Sequence, residues 1–376
     1  MAQYTVKEVV SRRDLKRFIT FVDDLYKGCD MFVPPLHKGQ ERDLMHSPSL
    51  QYCSRKMWIA EDADGKVVGR ICAMINPRYN EKYDKKRVRF GWFDLVNDIE
   101  VARLLMGAAE AWAKENGMEE IHGPLFYNTL GRQGMLVEGF DKLPPFSCLY
   151  NYPYYVQHME AYGLAKENDW IEMQIYPPKD IPERFGRMAK IVQERSHVRV
   201  DKVKNVKELV KKYGTSYMDV IDICYQKLYN FQPLTERQKR HYCDMYFPLL
   251  NFDFVTIVVN EKDEVVGLGV GMPDISKALR KTKGKLFPFG WYHLLKALKS
   301  DSYDTFDFLI IAIRPDYQDK GLNAVIIADQ HPYFVKYGIK TIETTAIMET
   351  NFKNLNHWEM FPHKYHKRRR AYVKSI

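Results

Sequence analysis

Residues 306–349 read FDFLIIAIRPDYQDKGLNAVIIADQHPYFVKYGIKTIETTAIME and combine two strand patterns with one helix pattern. The apolar, β-branched run at 306–313 predicts a buried strand. A polar turn containing Pro315 and Gly321 ends that strand. An apolar helical stretch then runs to Gly338, and a second strand pattern follows it. This order aims backbone N–H groups and the positive end of a helix at the turn, which predicts an anion site.

The turn has a specific residue order, in which Gln318, Gly321 and Asn323 follow an Arg-Pro pair. It resembles the Gln/Arg-x-x-Gly-x-Gly/Ala motif with which the GNAT superfamily of N-acyltransferases binds acyl-CoA, and it departs from that motif at Asn323. The resemblance implies acetyl-CoA or another acyl-CoA as cofactor, with the pyrophosphate at the turn and the thioester carbonyl on the backbone of the preceding strand. An ordinary strand-turn-helix crossover is the alternative. The predicted cofactor contacts are Ile311, Ala312, Ile313, Gln318, Asp319, Lys320, Gly321, Leu322, Asn323, Ala324, Asn351 and Asn354.

The second half of the chain repeats the order of the first. Residues 67–69 and 265–267 both read Val-Val-Gly inside a predicted hairpin, and two further segment pairs match in the same order. Such repetition indicates duplication of a large unit. We therefore expect an α/β (α+β) protein of two tandem GNAT-like units, 1–177 and 178–376. Each unit is expected to have a mixed, mostly antiparallel central sheet flanked by helices.

The two expected units differ at the phosphate turn. The matching segment of the first unit, 96–102, lacks the Gln-x-x-Gly order and carries Asp98 and Glu100. These acids would repel a pyrophosphate. We therefore expect the first unit to be structural or to shape the substrate site, and the cofactor to bind to the second unit.

A glycine-rich loop at 123–141 and an aromatic segment at 150–155 stand out in the first half. Long ordered loops often carry binding residues. Both segments resemble those of bacterial tandem-GNAT acyltransferases of similar length. An aromatic lid packed on its own domain explains the tyrosines equally well. The candidate substrate contacts are Arg132, Glu138, Asp141, Tyr154 and Tyr155.

Acyl transfer to an amine needs a base, an N–H group that polarises the thioester carbonyl, and a donor that protonates the thiolate. The GNAT resemblance implies that this donor is a tyrosine about seven residues after an asparagine. Those positions hold Trp358 and Phe361 here, and Tyr365 lies close but outside the pattern. The candidate catalytic residues of the second unit are Asp307, Glu343, Glu349 and Tyr365.

We predict an acyl-CoA-dependent, most simply acetyl-CoA-dependent, N-acyltransferase whose acceptor is an amine on a small molecule or peptide. A catalytically silent protein that binds CoA or a similar ligand is the first alternative, because the standard acid is missing. A nucleic-acid-associated protein is the second and weaker one. It is suggested by the net charge of +9 and the basic run at 364–370. A solvated sheet edge is the simpler interpretation of that run.

The composition is that of a soluble globular protein, with 45% hydrophobic and 28% charged residues. We find no signal-peptide pattern and no apolar run long enough to span a bilayer. Six cysteines without a CxxC pair indicate free thiols in a reducing compartment. We therefore expect a cytoplasmic protein without a membrane partner, and a homodimer is compatible with the sequence. The histidines at 357, 363 and 366 are predicted to be surface residues and not metal ligands.

Overall fold

The computed structural model describes residues 4–180 and 183–376. All six cysteines are free thiols. The strands, in chain order, are β1 Thr5–Glu8, β2 Ser54–Glu61, β3 Val67–Ile75, β4 Arg87–Leu95, β5 Glu120–Gly123, β6 Met135–Glu138, β7 Ala165–Ile175, β8 Val198–Val200, β9 Val255–Asn260, β10 Val265–Pro273, β11 Thr305–Ile313, β12 Thr341–Thr344, β13 Ile347–Met348 and β14 His363–Ser375.

The helices flank these strands, and two of the longer ones, α1 and α4, begin at the capping side chains of Ser11 and Asp98. In chain order they are α1 Arg12–Leu25, α2 His37–His46, α3 Pro77–Tyr83, α4 Ile99–Glu115, α5 Tyr154–Ala161, α6 Glu183–Ser196, α7 Val206–Tyr213, α8 Ser216–Tyr225, α9 Glu236–Tyr246, α10 Ser276–Thr282, α11 Gly290–Leu298, α12 Leu322–Lys336 and α13 Phe352–Glu359. Among the described residues, no helix combines the length and the apolar composition needed to cross a lipid bilayer.

The chain forms two compact units that are not consecutive in sequence. Unit 1 comprises the residues up to Ile171 together with Ser276–Leu294 and His366–Ile376, and unit 2 comprises Glu172–Ile275 and Leu295–Tyr365. This grouping differs from the expected units 1–177 and 178–376. The reason lies in strand pairing, because the C-terminal strand β14 runs antiparallel to β5 of unit 1, with Tyr372 opposite Gly123.

Unit 1 contains a mixed sheet in the order β1-β2-β3-β4-β5-β14. Its neighbouring strands are antiparallel except for β4 and β5, which are parallel. Helix α4 covers this sheet and buries Val101 and Leu105 completely. It comes close because Gly69 lies beneath it. A Cβ atom at Gly69 would lie 2.8 Å from side-chain carbons of both Val101 and Leu105.

Unit 2 repeats this plan in the order β7-β12-β11-β10-β9-β8, in which β11 and β12 are the parallel pair. Both units also carry an irregularity in the pairing of the corresponding two strands. The register shifts between Arg70 and Cys72 in unit 1 and between Val270 and Gly271 in unit 2, and each shift adds one residue to the following strand. The predicted fold of two duplicated, mostly antiparallel units is therefore confirmed.

The glycine-rich loop of unit 1 is more ordered than expected. Residues Met135–Glu138 form β6, which pairs with β14. This strand was not predicted from the sequence, because it is short and lies between Gly134 and Gly139.

The basic run near the C-terminus is not a solvated edge in unit 1, so that expectation was wrong. Lys367 is 2% exposed and Arg369 is fully buried. Lys367 Nζ donates to the carbonyl oxygen of Leu143, at 3.2 Å. Arg370 makes two hydrogen bonds to Asp169, at 2.9 and 3.0 Å. These contacts satisfy the cations within the unit, which weakens the nucleic-acid interpretation.

Candidate functional site

The parallel strands of unit 2 separate partway along their length. The pairing of β11 with β12 runs from Thr305–Thr341 to Phe308–Thr344. The next residues of β11, Leu309–Ile311, are apolar but only partly buried. These side chains are therefore partly accessible where the pairing with β12 ends, next to the irregular position in the pairing of β11 with β10.

The turn that follows β11 presents the N-terminus of α12. A short 3₁₀ turn, Pro315–Tyr317, is followed by Asp319 and Gly321, which have left-handed φ values of +62° and +86°. Gly321 is the N-cap residue of α12, and no side chain of the described residues caps the helix there. The Gln318 amide donates to the carbonyl oxygen of Ile313, at 3.0 Å, which closes the turn onto the strand. The first N–H groups of α12 are therefore not occupied by a capping side chain, and they carry the positive end of the helix dipole.

The corresponding helix of unit 1 is closed to an anion. Asp98 is the N-cap residue of α4, and its Oδ1 accepts a hydrogen bond from Glu100 N at 2.9 Å. The Tyr4 hydroxyl donates to the other carboxylate oxygen at 2.9 Å. A carboxylate thus occupies the place where a phosphate would bind. In unit 2, by contrast, no side chain of the described residues caps α12. The two turns therefore differ in their ability to accept an anion, as the sequence predicted.

The side chain of Asn323, the residue that departs from the sequence motif, is directed toward α13. Its side-chain amide is hydrogen-bonded to Nδ1 of His357 on α13. Asn351 serves as the N-cap of α13 and accepts from Asn354 N. The Oδ1 atom of Asn354 is buried without a hydrogen-bond partner among the described residues.

His357 is 7% exposed, so the expectation of a surface histidine was wrong for this residue. Burial lowers the pKa of His357 from 6.5 to about 4, because the imidazolium form is poorly solvated there. The unfolded chain therefore binds a proton on this residue at a higher pH than the folded chain does. The stability that the neutral ring contributes is complete above pH 6.5 and is lost as the pH falls toward 4.

His357→Gln is expected to reduce the pH dependence of the free energy of unfolding between pH 6.5 and 4. The free energy of unfolding of the wild type should fall by roughly 3 kcal/mol more than that of the variant between pH 6.5 and 4. Urea unfolding at several pH values measures the difference. His197→Gln changes a side chain that is 71% exposed and serves as the control. Parallel profiles for the wild type and His357→Gln would contradict the assignment.

Two of the candidate bases lie side by side. Asp307 and Glu343 are register partners in the parallel pair, and they are 1% and 6% exposed. Gln174 Nε2 donates to Glu343 at 2.9 Å. Glu349 lies apart from this pair, in the turn after β13. Tyr365 is 49% exposed, and its hydroxyl donates to Glu359 at 3.1 Å.

A cavity of about 40 Å³ lies within unit 1. Of the five predicted substrate contacts, Arg132 and Tyr155 line it, whereas Glu138, Asp141 and Tyr154 do not. Tyr154 instead donates to the carbonyl oxygen of Leu95, at 2.8 Å.

The cavity has a polar centre, of whose members only Tyr155 was among the predicted site residues. Arg70 holds Asp94 Oδ2 through Nε at 2.8 Å and Nη2 at 2.7 Å. The hydroxyl of Tyr26 donates to Asp94 Oδ1 at 3.1 Å and lies 2.9 Å from the Tyr155 hydroxyl. Gln40 accepts from Arg70 at 3.2 Å, while its own Nε2 is buried without a hydrogen-bond partner among the described residues. Burial raises the pKa of both tyrosines well above 10, so they stay neutral donors.

Comparison with known proteins agrees with this architecture. No family model matches the chain. Among solved structures, a tandem GNAT protein from the clavulanic acid biosynthesis pathway superimposes with a TM-score of 0.56 at 9% identity, over 99% of this chain and 98% of its own. The chain has the GNAT fold.

Two curated proteins are similar over the full length of this GNAT-fold chain. Protein YghO of Escherichia coli (strain K12) is 29% identical over 381 residues, which cover 100% of this chain and 96% of YghO. The bacterial ceramide synthase of Caulobacter vibrioides (strain NA1000 / CB15N) is 24% identical over 391 residues, which cover 100% of this chain and 98% of that protein.

Within the GNAT fold, the position at which the resemblance implies an acid tyrosine is filled by an apolar side chain. Trp358 is 2% exposed and packs edge-on against Phe308, with ring centroids 5.0 Å apart. Phe308 is the last residue of β11 that pairs with β12. Trp358 therefore supports the point where the strands separate and does not supply a proton.

Proposed function

We propose that the chain is an acyl-CoA-dependent N-acyltransferase whose cofactor binds to unit 2. The uncapped N-terminus of α12 carries this proposal, because it follows a strand that separates from its parallel neighbour. The pyrophosphate would accept hydrogen bonds from the first N–H groups of α12, as anions do at helix N-termini. The acyl thioester would lie beside the partly accessible residues Leu309–Ile311.

The reaction requires few protein groups. The amine nitrogen attacks the thioester carbonyl carbon, the C–S bond breaks, and the ammonium proton passes to a base. We propose that the Asp307–Glu343 pair supplies that base, directly or through water, because these are the two candidate carboxylates that the structure brings together. In the absence of an acid tyrosine, water would protonate the thiolate.

The proposed acceptor class is based on one similar protein. A ceramide is an amide between a fatty acid and a long-chain amino alcohol, and one similar protein is named a bacterial ceramide synthase. We propose a long-chain amine as the acceptor and a fatty acyl-CoA as the donor, with acetyl-CoA as the comparison donor. Of the predicted substrate contacts in unit 1, we keep Arg132 and Tyr155 as candidates, because both line the cavity.

Product analysis by mass spectrometry tests the proposal. The chain is incubated with palmitoyl-CoA or acetyl-CoA and a panel of amines that includes sphinganine, and both amide and free CoA are measured. We expect amide and CoA in equal amounts, and a loss of kcat of about 100-fold or more in Glu343→Gln or Asp307→Asn. Glu349→Gln should retain the wild-type rate.

A catalytically silent CoA-binding protein is the second candidate, and the replacement of the acid tyrosine by Trp358 favours it. The same assay separates the two. Saturable CoA binding without amide formation on any amine would support the silent protein and would overturn catalysis.

A further inference from the structure

Unit 1 exposes a group of large aromatic side chains close together in sequence. Phe287 is 69% exposed, Phe289 71%, Trp291 47% and Tyr292 51%. Single exposed apolar residues are common on protein surfaces, whereas a contiguous group of them marks an interaction site. None of these four side chains lines the cavity of unit 1.

The same segment is strongly basic. The chain carries no acidic residue between Asp274 and Asp301. Lys38 adds a cation from α2, with its Nζ 6.0 Å from the centre of the Phe287 ring. The exposed lysines that precede the aromatic residues are Lys277, Lys281, Lys283 and Lys285. We call these four lysines and the four aromatic residues the basic–aromatic patch.

Residues that alternate with the lysines of the patch fix this segment to the rest of unit 1 through two hydrogen bonds and an ion pair. Arg280 pairs with Asp30 at 2.6 Å, and Ser276 Oγ donates to the carbonyl oxygen of Pro144 at 3.0 Å. The amide of His37 donates to the carbonyl oxygen of Gly284 at 2.8 Å. The exposed rings are therefore carried by an ordered segment.

The polar atom of the central tryptophan is already satisfied. Trp291 Nε1 donates to the carbonyl oxygen of Pro288 at 2.9 Å. The indole ring can therefore enter an apolar medium without leaving an unpaired donor, which would otherwise oppose burial.

We propose that the basic–aromatic patch docks unit 1 on the surface of an anionic lipid bilayer. Aromatic side chains settle at the boundary between headgroups and acyl chains, and lysines beside them are attracted to anionic headgroups. This replaces the expectation of no membrane partner. The inference does not depend on acyl transfer, because none of the patch residues has been assigned a role in it.

A basic surface with aromatic rings also suits single-stranded nucleic acid. The lipid surface fits better, because Phe287, Pro288 and Phe289 form an exposed apolar run without a hydrogen-bonding group in their side chains. Nucleic-acid binding is therefore one of the outcomes of the test.

Sedimentation of the full chain with lipid vesicles tests the proposal. We expect binding to vesicles of equal parts phosphatidylglycerol and phosphatidylcholine, and at least about tenfold weaker binding to phosphatidylcholine alone. The aromatic variant Phe287→Ser/Phe289→Ser/Trp291→Ser and the lysine variant Lys281→Gln/Lys283→Gln/Lys285→Gln should each lose about tenfold or more in vesicle affinity. All substituted side chains are exposed, so circular dichroism should be unchanged.

Matched controls change the same side-chain types elsewhere. Phe352→Ser removes a ring that is 66% exposed, and Lys204→Gln/Lys207→Gln/Lys211→Gln removes three exposed lysines. Both should bind vesicles as the wild type does. The proposal is overturned if the wild type does not bind anionic vesicles, if the aromatic variant binds as well as the wild type, or if the chain binds a single-stranded oligonucleotide but not the vesicles.

Discussion

Gly321→Asp is expected to weaken acetyl-CoA binding by about 100-fold or more. The new carboxylate would place a negative charge at the N-terminus of α12, where the pyrophosphate is proposed to bind, and would oppose its hydrogen bonds to the first N–H groups. Losing hydrogen bonds to a charged group costs about 1.5–3 kcal/mol each, and 1.4 kcal/mol is tenfold in affinity. Titration calorimetry on the wild type and the variant measures the loss.

Gly338→Asp is the matched control for this experiment. Gly338 lies just past the other end of α12, with a φ of +69°, close to the +86° of Gly321. The control therefore introduces the same side chain in a similarly strained backbone position, far along the helix from the turn. It should bind acetyl-CoA as the wild type does. Equal losses in both variants would mean that backbone strain, and not the anion site, explains the effect.

Asp94→Ala is expected to be the most destabilising single change in the polar centre of unit 1. It would leave the Arg70 guanidinium, whose side chain is 4% exposed, without its carboxylate partner. Removing one member of a buried pair costs about 3–5 kcal/mol. Urea unfolding followed by circular dichroism measures the loss, and Asp141→Ala, at an exposed pair, should have little effect.

The duplicated fold suggests how to reverse that loss. The unit 2 residues that match Arg70 and Asp94 are Leu268 and Ala312, which are cross-strand partners in the same way. The double variant Arg70→Leu/Asp94→Ala copies this apolar pair. It should be more stable than Asp94→Ala by about 1–2 kcal/mol, although Tyr26 still loses an acceptor. A double variant no more stable than the single one would show that Arg70 is not the source of the cost.

The repeated plan of the fold could be predicted because it depends on local patterns. Val-Val-Gly hairpins, apolar strands and helices ended by glycine recur in both halves, and each pattern has a direct structural cause. The difference between the two turns was also visible, since Asp98 in one and Gly321 in the other have opposite effects on an anion.

The grouping of segments into units could not be predicted in the same way. The C-terminal strand belongs to unit 1 through pairing of Tyr372 with Gly123, residues about 250 positions apart, and no local pattern specifies such a partner. The buried state of Lys367 and Arg369 was missed for a related reason. Their partners Leu143 and Leu149 accept through backbone carbonyls, which leave no trace in the sequence.

Apart from Tyr155, the polar centre of unit 1 was not predicted, because its members are scattered along the chain. Tyr26 is the C-cap residue of α1, whereas Arg70, Asp94 and Tyr155 come from β3, β4 and α5. One signal was available, since Arg70 and Asp94 are charged residues inside otherwise apolar strand patterns. A buried charge needs a partner, so the two could have been paired with each other.

A crystal structure of the chain with bound CoA tests the central claim most directly. We expect the pyrophosphate within hydrogen-bonding distance of the backbone nitrogens at the start of α12, with the pantetheine arm beside Leu309–Ile311. CoA bound at α4 of unit 1, or no bound CoA at a saturating concentration, would contradict it.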